Sequence, residues 1–471
     1  MSMETYGIIS LLPVLVVIVT AIAFKRAMEA LVLGTFVAAI IIAKGDWWAT
    51  WFDFTLTEIG DSAYYIVMFG MFGAMIRLLD ESGAAMGFAD IGAKVANTPK
   101  KTQMFAWVLG IIIFVEDYLN ALGVGAAMKG LSDKNHISRE RLAFIVNSTG
   151  AAVCILVPFS SWGVLYASQI ENVGAVEGMT GFQAYCASIP YMLYAWIAVI
   201  CVPLFIFKII PTFGPMKAAD ERALSGKVLP EWYYAEEGHE VEELDSDKKA
   251  HWINFVLPMV LLIVVCIITG DITLSVILAT VLTGIMLFVQ KKLTLGGFCD
   301  SIVEGFKDML YVTMLVLMAF VLQDLNDVLG LTPYVIETVQ PFMSPALFPA
   351  ITFLVVGALA FCTGSFWGVA AISFPIIIPL ALALDVNVFL AIGAVAAATS
   401  FGSHACFYSD AVTVTAAATG IKNMDYAKTA LPLIGVPFVL GLISYLIIGF
   451  IVYLHNYPEI FLPVMDIGRL K

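Results

Sequence analysis

FVEDYLNALGVG, Phe114–Gly125, sets two adjacent carboxylates, Glu116 and Asp117, together with Tyr118 and Asn120 inside an otherwise apolar sequence. Ionisable groups at membrane depth are costly and persist mainly where they line a pathway or bind something. What surrounds the stretch decides whether it is buried. The 471-residue chain is 61% hydrophobic and 13% charged, against about 45–50% apolar and about 25% charged in soluble globular proteins. The apolar excess falls in blocks of about 20 residues, the length a helix needs to cross a bilayer. The sequence therefore reads as an all-α polytopic membrane protein.

Ten spans follow from these blocks: Gly7–Phe24, Ala27–Ala43, Ser62–Leu79, Leu142–Trp162, Ala184–Ile209, Trp252–Thr269, Ile272–Val289, Asp308–Gln323, Val386–Phe401 and Leu431–Leu454. Gly7–Phe24 reads as a span rather than a signal peptide, because no small-residue cleavage pattern follows it. Trp47, Trp48 and Trp51 cluster beyond the second span as an interfacial aromatic belt would. Two apolar stretches are left over, Gln103–Met128 and Leu347–Leu384, each interrupted by polar or glycine-rich sequence.

Charge bias orients the chain. Lys25 and Arg26, Lys94, Lys100 and Lys101, Lys129, Lys134, Arg139 and Arg141, Lys208 and Lys217, Lys248 and Lys249, and Lys291 and Lys292 share one face only if Gln103–Met128 enters and leaves on the same side. That stretch is then a re-entrant hairpin with EDYLN near its tip. Leu347–Leu384, flanked by segments without Lys or Arg, becomes a hairpin from the opposite face. FVEDYLNALGVG aligns with FCTGSFWGVAAI (361–372), and IVNSTGAAVC (145–154) with AATSFGSHAC (397–406). Two inverted repeats result, 1–213 and 251–471, each with three spans, a re-entrant hairpin, a broken helix and a final span. Inverted repeats with broken helices near the midplane are a signature of secondary transporters. Between them lies an acidic cytoplasmic linker, 214–250. It holds eight acidic residues and no Lys or Arg between Glu231 and Asp247, a solvated composition.

The seven cysteines show no paired spacing, which argues against a disulfide framework or a zinc site. No H-E-x-x-H, G-x-S-x-G or paired-aspartate motif sits in a span, so an intramembrane enzyme is not the reading.

Four stretches converge if the halves pack face to face: the hairpin tips Glu116–Asn120 and Thr363–Trp367, and the polar breaks Asn147–Gly150 and Thr399–Asp410. Breaking a helix in lipid frees backbone groups that only protein or a cavity can satisfy. Freed carbonyls and hydroxyls suit a hard cation such as sodium. Asn147, Ser148, Thr149, Thr363, Ser365, Thr399 and Ser400 supply such oxygens, and Asp117, Ser148 and Thr149 form the candidate sodium site. Asp117 is the first candidate for a carboxylate that exchanges a proton for a cation, with Glu116 and Asp410 as further candidates. His404 is placed to relay protons or to stand neutral and hydrogen-bonded. Pro158, Pro375 and Pro379 are expected to kink helices beside the breaks.

At these motifs the sequence resembles the NhaC family of sodium/proton antiporters. FVEDYLNALGVG is similar to its F-D/E-D-Y-L-N pattern, and SDKNHISRERLAFIVNSTGAAV (132–153) to its basic loop and D-S-T break. TGSFWGVAAISFPIIIPLA (363–381) is similar to its second hairpin, and FGSHACFYSDAVTVTAAATG (401–420) to its F-G-D-H-C-S-P-I-S-D-T stretch. The resemblance implies an elevator-like two-repeat fold, with Asp117, Asn120, Ser148, Thr149, Ser365, His404, Ser409 and Asp410 at functional positions. Asn147 and Ser403 stand where the family pattern has acids, and Phe407 and Tyr408 where it has proline and an aliphatic residue. With Phe366 and Trp367, the last two could line a roomier site for an organic solute.

The expectation is thus an ion-coupled secondary transporter of the cytoplasmic membrane, a sodium/proton antiporter. The alternative is a sodium- or proton-coupled carrier of an amino acid, amine or carboxylate. Sodium and the proton are the coupling ions, with no other cofactor and no nucleic-acid partner. Analogy with elevator carriers implies a homodimer in the lipid.

Overall fold

The computed structural model describes residues 6–24, 27–84, 96–114, 117–158, 160–174, 178–235, 251–269, 271–364 and 366–456. Every regular element among them is helical. The first half contains α1 (Leu12–Phe24), α2 (Ala27–Ala43), α3 (Trp47–Asp61) and α4 (Ala63–Glu81). It continues with α5 (Pro99–Ile112), α6 (Asp117–Lys134), α7 (Arg139–Thr149), α8 (Ala151–Leu156), α9 (Ser161–Val173), α10 (Gly181–Ser188) and α11 (Leu193–Ile206). Two short helices follow, α12 (Gly214–Leu224) and α13 (Glu231–Ala235). The second half holds α14 (Ile253–Thr269), α15 (Ile272–Val289), α16 (Leu295–Val328), α17 (Leu331–Val339), α18 (Phe348–Thr363), α19 (Phe366–Ala383), α20 (Val388–Ala405), α21 (Asp410–Thr419) and α22 (Asn423–Asn456).

The chain is a polytopic membrane protein. Among the described residues, four helices are long and apolar enough to cross a bilayer: Ile272–Val289, Phe366–Ala383, Val388–Ala405 and Asn423–Tyr453. Counting each of three bent helix pairs as one span brings the number to seven. One bent pair is α2 with α3, which turn 120° from each other. Only an aromatic belt was read from Trp47–Trp51. In the structure those rings begin α3, and Phe36 on α2 packs edge-on to Trp51 with centroids 4.9 Å apart. The segment expected as Asp308–Gln323 belongs to the 34-residue α16, and Leu431–Leu454 to the 34-residue α22.

A recurrence appears in the order of elements. Helices starting at 99, 117, 139 and 161 are matched by helices starting at 348, 366, 388 and 410, each 249 residues later. The caps recur at the same interval. Ser138 accepts from Arg141 N, and Asn387 from Leu390 N. Ser160 and Ser409 each cap a helix while donating to the carbonyl six residues earlier, Cys154 at 2.6 Å and Ser403 at 3.1 Å. Side-chain oxygens at N-cap positions satisfy amides that have no partner within the helix, so each cap fixes where its helix begins.

The helix breaks lie elsewhere than the sequence suggested. Asn147–Gly150 is not one open break, since Asn147, Ser148 and Thr149 form the last turn of α7. Gly150 turns the chain into α8, and a second interruption at 157–160 precedes α9. In the other half α20 runs unbroken through Thr399 and Ser400, leaving only 406–409 outside regular helix. The reason is local. The Thr399 hydroxyl bonds back to Val395 O (3.2 Å) and Ala396 O (2.9 Å), a pattern that lets threonine sit inside a helix.

Buried charges on α7 dock the segment after α11. Arg141 pairs with Asp220, and Glu140 with Arg222 at 2.7 Å. Arg139 pairs with Asp133 at 2.5 Å and donates to Thr419 O at 2.8 Å. Residues 214–224 are therefore held against the bundle, and 236–250 lie outside the described residues.

Candidate functional site

Two helices that carry an acid in their first turn pack against each other. Asp117 begins α6 and Asp410 begins α21, both are 2% exposed, and α6 packs against α21. The Tyr118 hydroxyl donates to Asp410 Oδ2, and Ala411 N donates to Asp410 Oδ1 at 2.7 Å. Tyr118, next in sequence to Asp117, thereby links the two acid-bearing helices. Asp117 lies against the turn between α7 and α8, where a Cβ built on Gly150 would stand 3.9 Å from the Asp117 Cβ. Each helix N-terminus offers partial positive charge to its carboxylate. Two such half-charges only partly offset two buried carboxylates, which burial penalises in their charged form.

Asn120 braces the hairpin tip beside this junction. Its amide donates to Gly110 O (2.6 Å) and Ile113 O (2.9 Å), two of the last carbonyls at the end of α5. Asn120 Oδ1 is buried and has no partner among the described residues, as do the hydroxyls of Ser400 and Ser403. Glu116 and Ser365 lie outside the described residues.

His404 ties the halves together. Ser148 donates its only hydroxyl proton to Phe144 O at 2.6 Å, so the 3.0 Å contact between Ser148 Oγ and His404 Nε2 requires the proton on Nε2. His404 Nδ1 then accepts from Tyr194, 2.8 Å away. The geometry thus fits a neutral imidazole with both ring nitrogens hydrogen-bonded. Asn147 donates to His404 O (3.0 Å) and to the Tyr426 oxygen (2.6 Å). A carboxylate at 147 would face that carbonyl without a proton to give. The amide is thus fitted to this position.

The other proposed oxygens are engaged locally. The Thr149 hydroxyl bonds Ile145 O and Val146 O, that of Thr363 bonds Leu359 O, and Ser409 caps α21. Tyr408 donates to Cys362 O, and its ring lies 2.9 Å from a Cβ built on Gly364, whose φ of +69° already favours glycine. Phe407 packs on Tyr408 with centroids 5.0 Å apart. Both residues close the second hairpin tip and are buried.

At the interval of 249 residues the acidic junction has a counterpart of different chemistry. Asp117, Tyr118 and Asp410 correspond to Phe366, Trp367 and Ser161. There Phe366 stacks on Trp162 with centroids 4.3 Å apart and planes within 11°, and Trp367 lies 4.7 Å from the same ring. Tyr166 joins the two junctions, bonding Thr399 Oγ1 at 2.7 Å while packing edge-on to Phe374 at 5.3 Å. Tyr166, Tyr194, Trp162 and Tyr426 were not singled out from the sequence. Their one signal is that each is a large polar-tipped ring within a few residues of a break or a final span.

Among the described residues no three His, Cys, Asp or Glu side chains gather as a metal-binding group. The chain matches the Na+/H+ antiporter family over residues 153–450, more than half its length. A protein of Haemophilus influenzae described as uncharacterized is 24% identical, the alignment covering 94% of this chain and 91% of that protein. The structure of Neisseria gonorrhoeae MtrF, presented as illuminating a class of antimetabolite efflux pumps, aligns with a TM-score of 0.37 and 13% identity over 86% of this chain and 84% of that one. On the family match, this chain is a secondary transporter and belongs to the Na+/H+ antiporter family.

Proposed function

We propose that the protein is a cation/proton antiporter of the cytoplasmic membrane, with Asp117 and Asp410 as the shared site and sodium as the cation the family points to. The observation that carries this reading is the meeting of two acid-bearing helix N-termini, tied by the Tyr118–Asp410 hydrogen bond. Such a junction reaches neutrality by holding either a proton or a cation, and competition between the two is the simplest form of antiport. The cation would sit between the carboxylates of Asp117 and Asp410, with Asn120 Oδ1 as a further oxygen. The hydroxyls of Ser148 and Thr149, turned onto their own helix, are secondary.

The recurrence at 249 residues supports an inverted repeat, because the basic loops then fall on one face. Two hairpins moving as one body against the remaining helices would give elevator-like alternating access, and a homodimer would supply the fixed frame. In reconstituted vesicles, an outward sodium gradient should drive proton uptake, read with a pH-sensitive dye. Asp117→Asn should abolish that signal while the protein stays inserted and monodisperse. Undiminished proton-coupled flux in the variant would remove Asp117 from the mechanism. Current without any second ion would make the protein a channel.

A further inference from the structure

We propose that an open cavity between α3, α4 and α16 recruits an organic ammonium ion, a monocation bearing apolar or aromatic substituents. The proposal names a substrate class for the exchange reading above and rests on that reading.

The cavity measures about 510 Å³ and is lined by three carboxyl groups, Glu58, Asp61 and Asp324, and by three rings, Tyr65, Phe320 and Trp367. None of its described lining residues is basic. Glu58 is 8% exposed, accepts from the Ser62 hydroxyl and lines the cavity together with Asp324. Three carboxyl groups facing one cavity, with no described basic residue among them, make its wall acidic.

Volume and lining together choose the ligand. A bare metal ion needs several oxygens closing on it at about 2–2.6 Å, and rings cannot supply them. Small organic ligands occupy cavities of about 300–1,000 Å³. Aromatic faces attract an ammonium group through their quadrupoles, and here the rings and the acids share one wall system. Tyr65 and Phe320 approach with centroids 5.4 Å apart.

The cavity is also joined to the acidic junction. Tyr65 packs edge-on to Tyr118 at 6.1 Å, and Tyr118 bonds Asp410. On the other flank Trp367 lies 4.7 Å from Trp162 in the aromatic counterpart of that junction. Two rings, Tyr65 and Tyr118, thus lead from the cavity to Asp410. The charge bias places this end of α3 and α16 on the face opposite the basic loops, so the cavity would load from there.

The test is binding of benzyltrimethylammonium to the full-length protein in lipid nanodiscs, by calorimetry at constant ionic strength. Saturable binding is expected, weakened about tenfold by Asp324→Asn and about fivefold by Trp367→Leu, the scale of a charge and a ring contact in a partly desolvated site. Asp61→Asn, at an exposed position, should weaken it about threefold and serves if Asp324→Asn does not fold. Asp117→Asn should bind as the native protein does. Undiminished flux in Asp117→Asn with cavity binding intact would therefore break the exchange reading alone, whereas native flux without saturable cavity binding would break this proposal alone. Non-saturable uptake, equal affinity in the native protein and both charge variants, or displacement by sodium but not by potassium would overturn it.

Discussion

One backbone arrangement occurs twice in this protein with opposite chemistry. On one side Asp117, Tyr118 and Asp410 meet across α6 and α21. On the other, 249 residues removed, Phe366, Trp367 and Trp162 meet across α19 and α9. Both junctions use a hairpin arm against the second part of an interrupted helix, and both are capped by a serine, Ser409 or Ser160. The aromatic side is held by stacking and area, which need no counterion. The acidic side is held by a hydrogen bond into a charge that burial penalises. The same arrangement of helices is thus filled by rings on one side and by acids on the other.

Substitutions on the two sides should therefore fail in different ways. The largest effect is expected at the acids: Asp117→Asn and Asp410→Asn should each lower coupled flux at least about a hundredfold, with little change in thermal unfolding, because an amide cannot trade a proton for a cation. Trp162→Ala should do the reverse. Removing a fully buried ring costs about 3–5 kcal/mol, so unfolding temperature in detergent should fall sharply, while residual folded protein keeps its coupling ratio. Tyr118→Phe tests the link itself. Loss of a hydrogen bond to a charged group is worth about 1.5–3 kcal/mol, which should appear as about a tenfold or greater change in apparent cation affinity rather than as loss of fold. Tyr194→Phe should be smallest, about 1 kcal/mol of stability from one neutral hydrogen bond to His404, with flux and its pH profile unchanged. A shifted pH profile in that variant would return His404 to the proton path.

Much of the first junction was legible in the sequence, because acids inside an apolar run have few explanations. Asp117 and Asp410 stood out for that reason, and the structure brings their helices together. The register between halves was harder to read. Matching Cys154 with Cys406 and Gly150 with Gly402 pairs letters, but the helix starts and caps set the interval at 249. Backbone geometry recurs there, whereas Asp117 and Phe366 share no side-chain chemistry. Serine and threonine signalled breaks that α20 does not contain, since Thr399 satisfies itself on its own helix. Nothing in the local sequence of α16 reveals that Asp324 shares a cavity wall with Glu58 on α3. Contacts across more than 200 residues, such as Asn147 to His404 O, leave no local periodicity to detect.

The most direct measurement is proton release on cation binding. Purified protein in weakly buffered detergent solution is mixed with sodium, and the pH change is followed without any membrane or gradient. Competition at a shared acid pair predicts a saturable release of protons, apparent cation affinity that rises with pH until the pair has lost its proton, and no release from Asp117→Asn. Cation binding that frees no protons, or release that persists in Asp117→Asn and Asp410→Asn, would contradict the assignment of the junction as the exchange site.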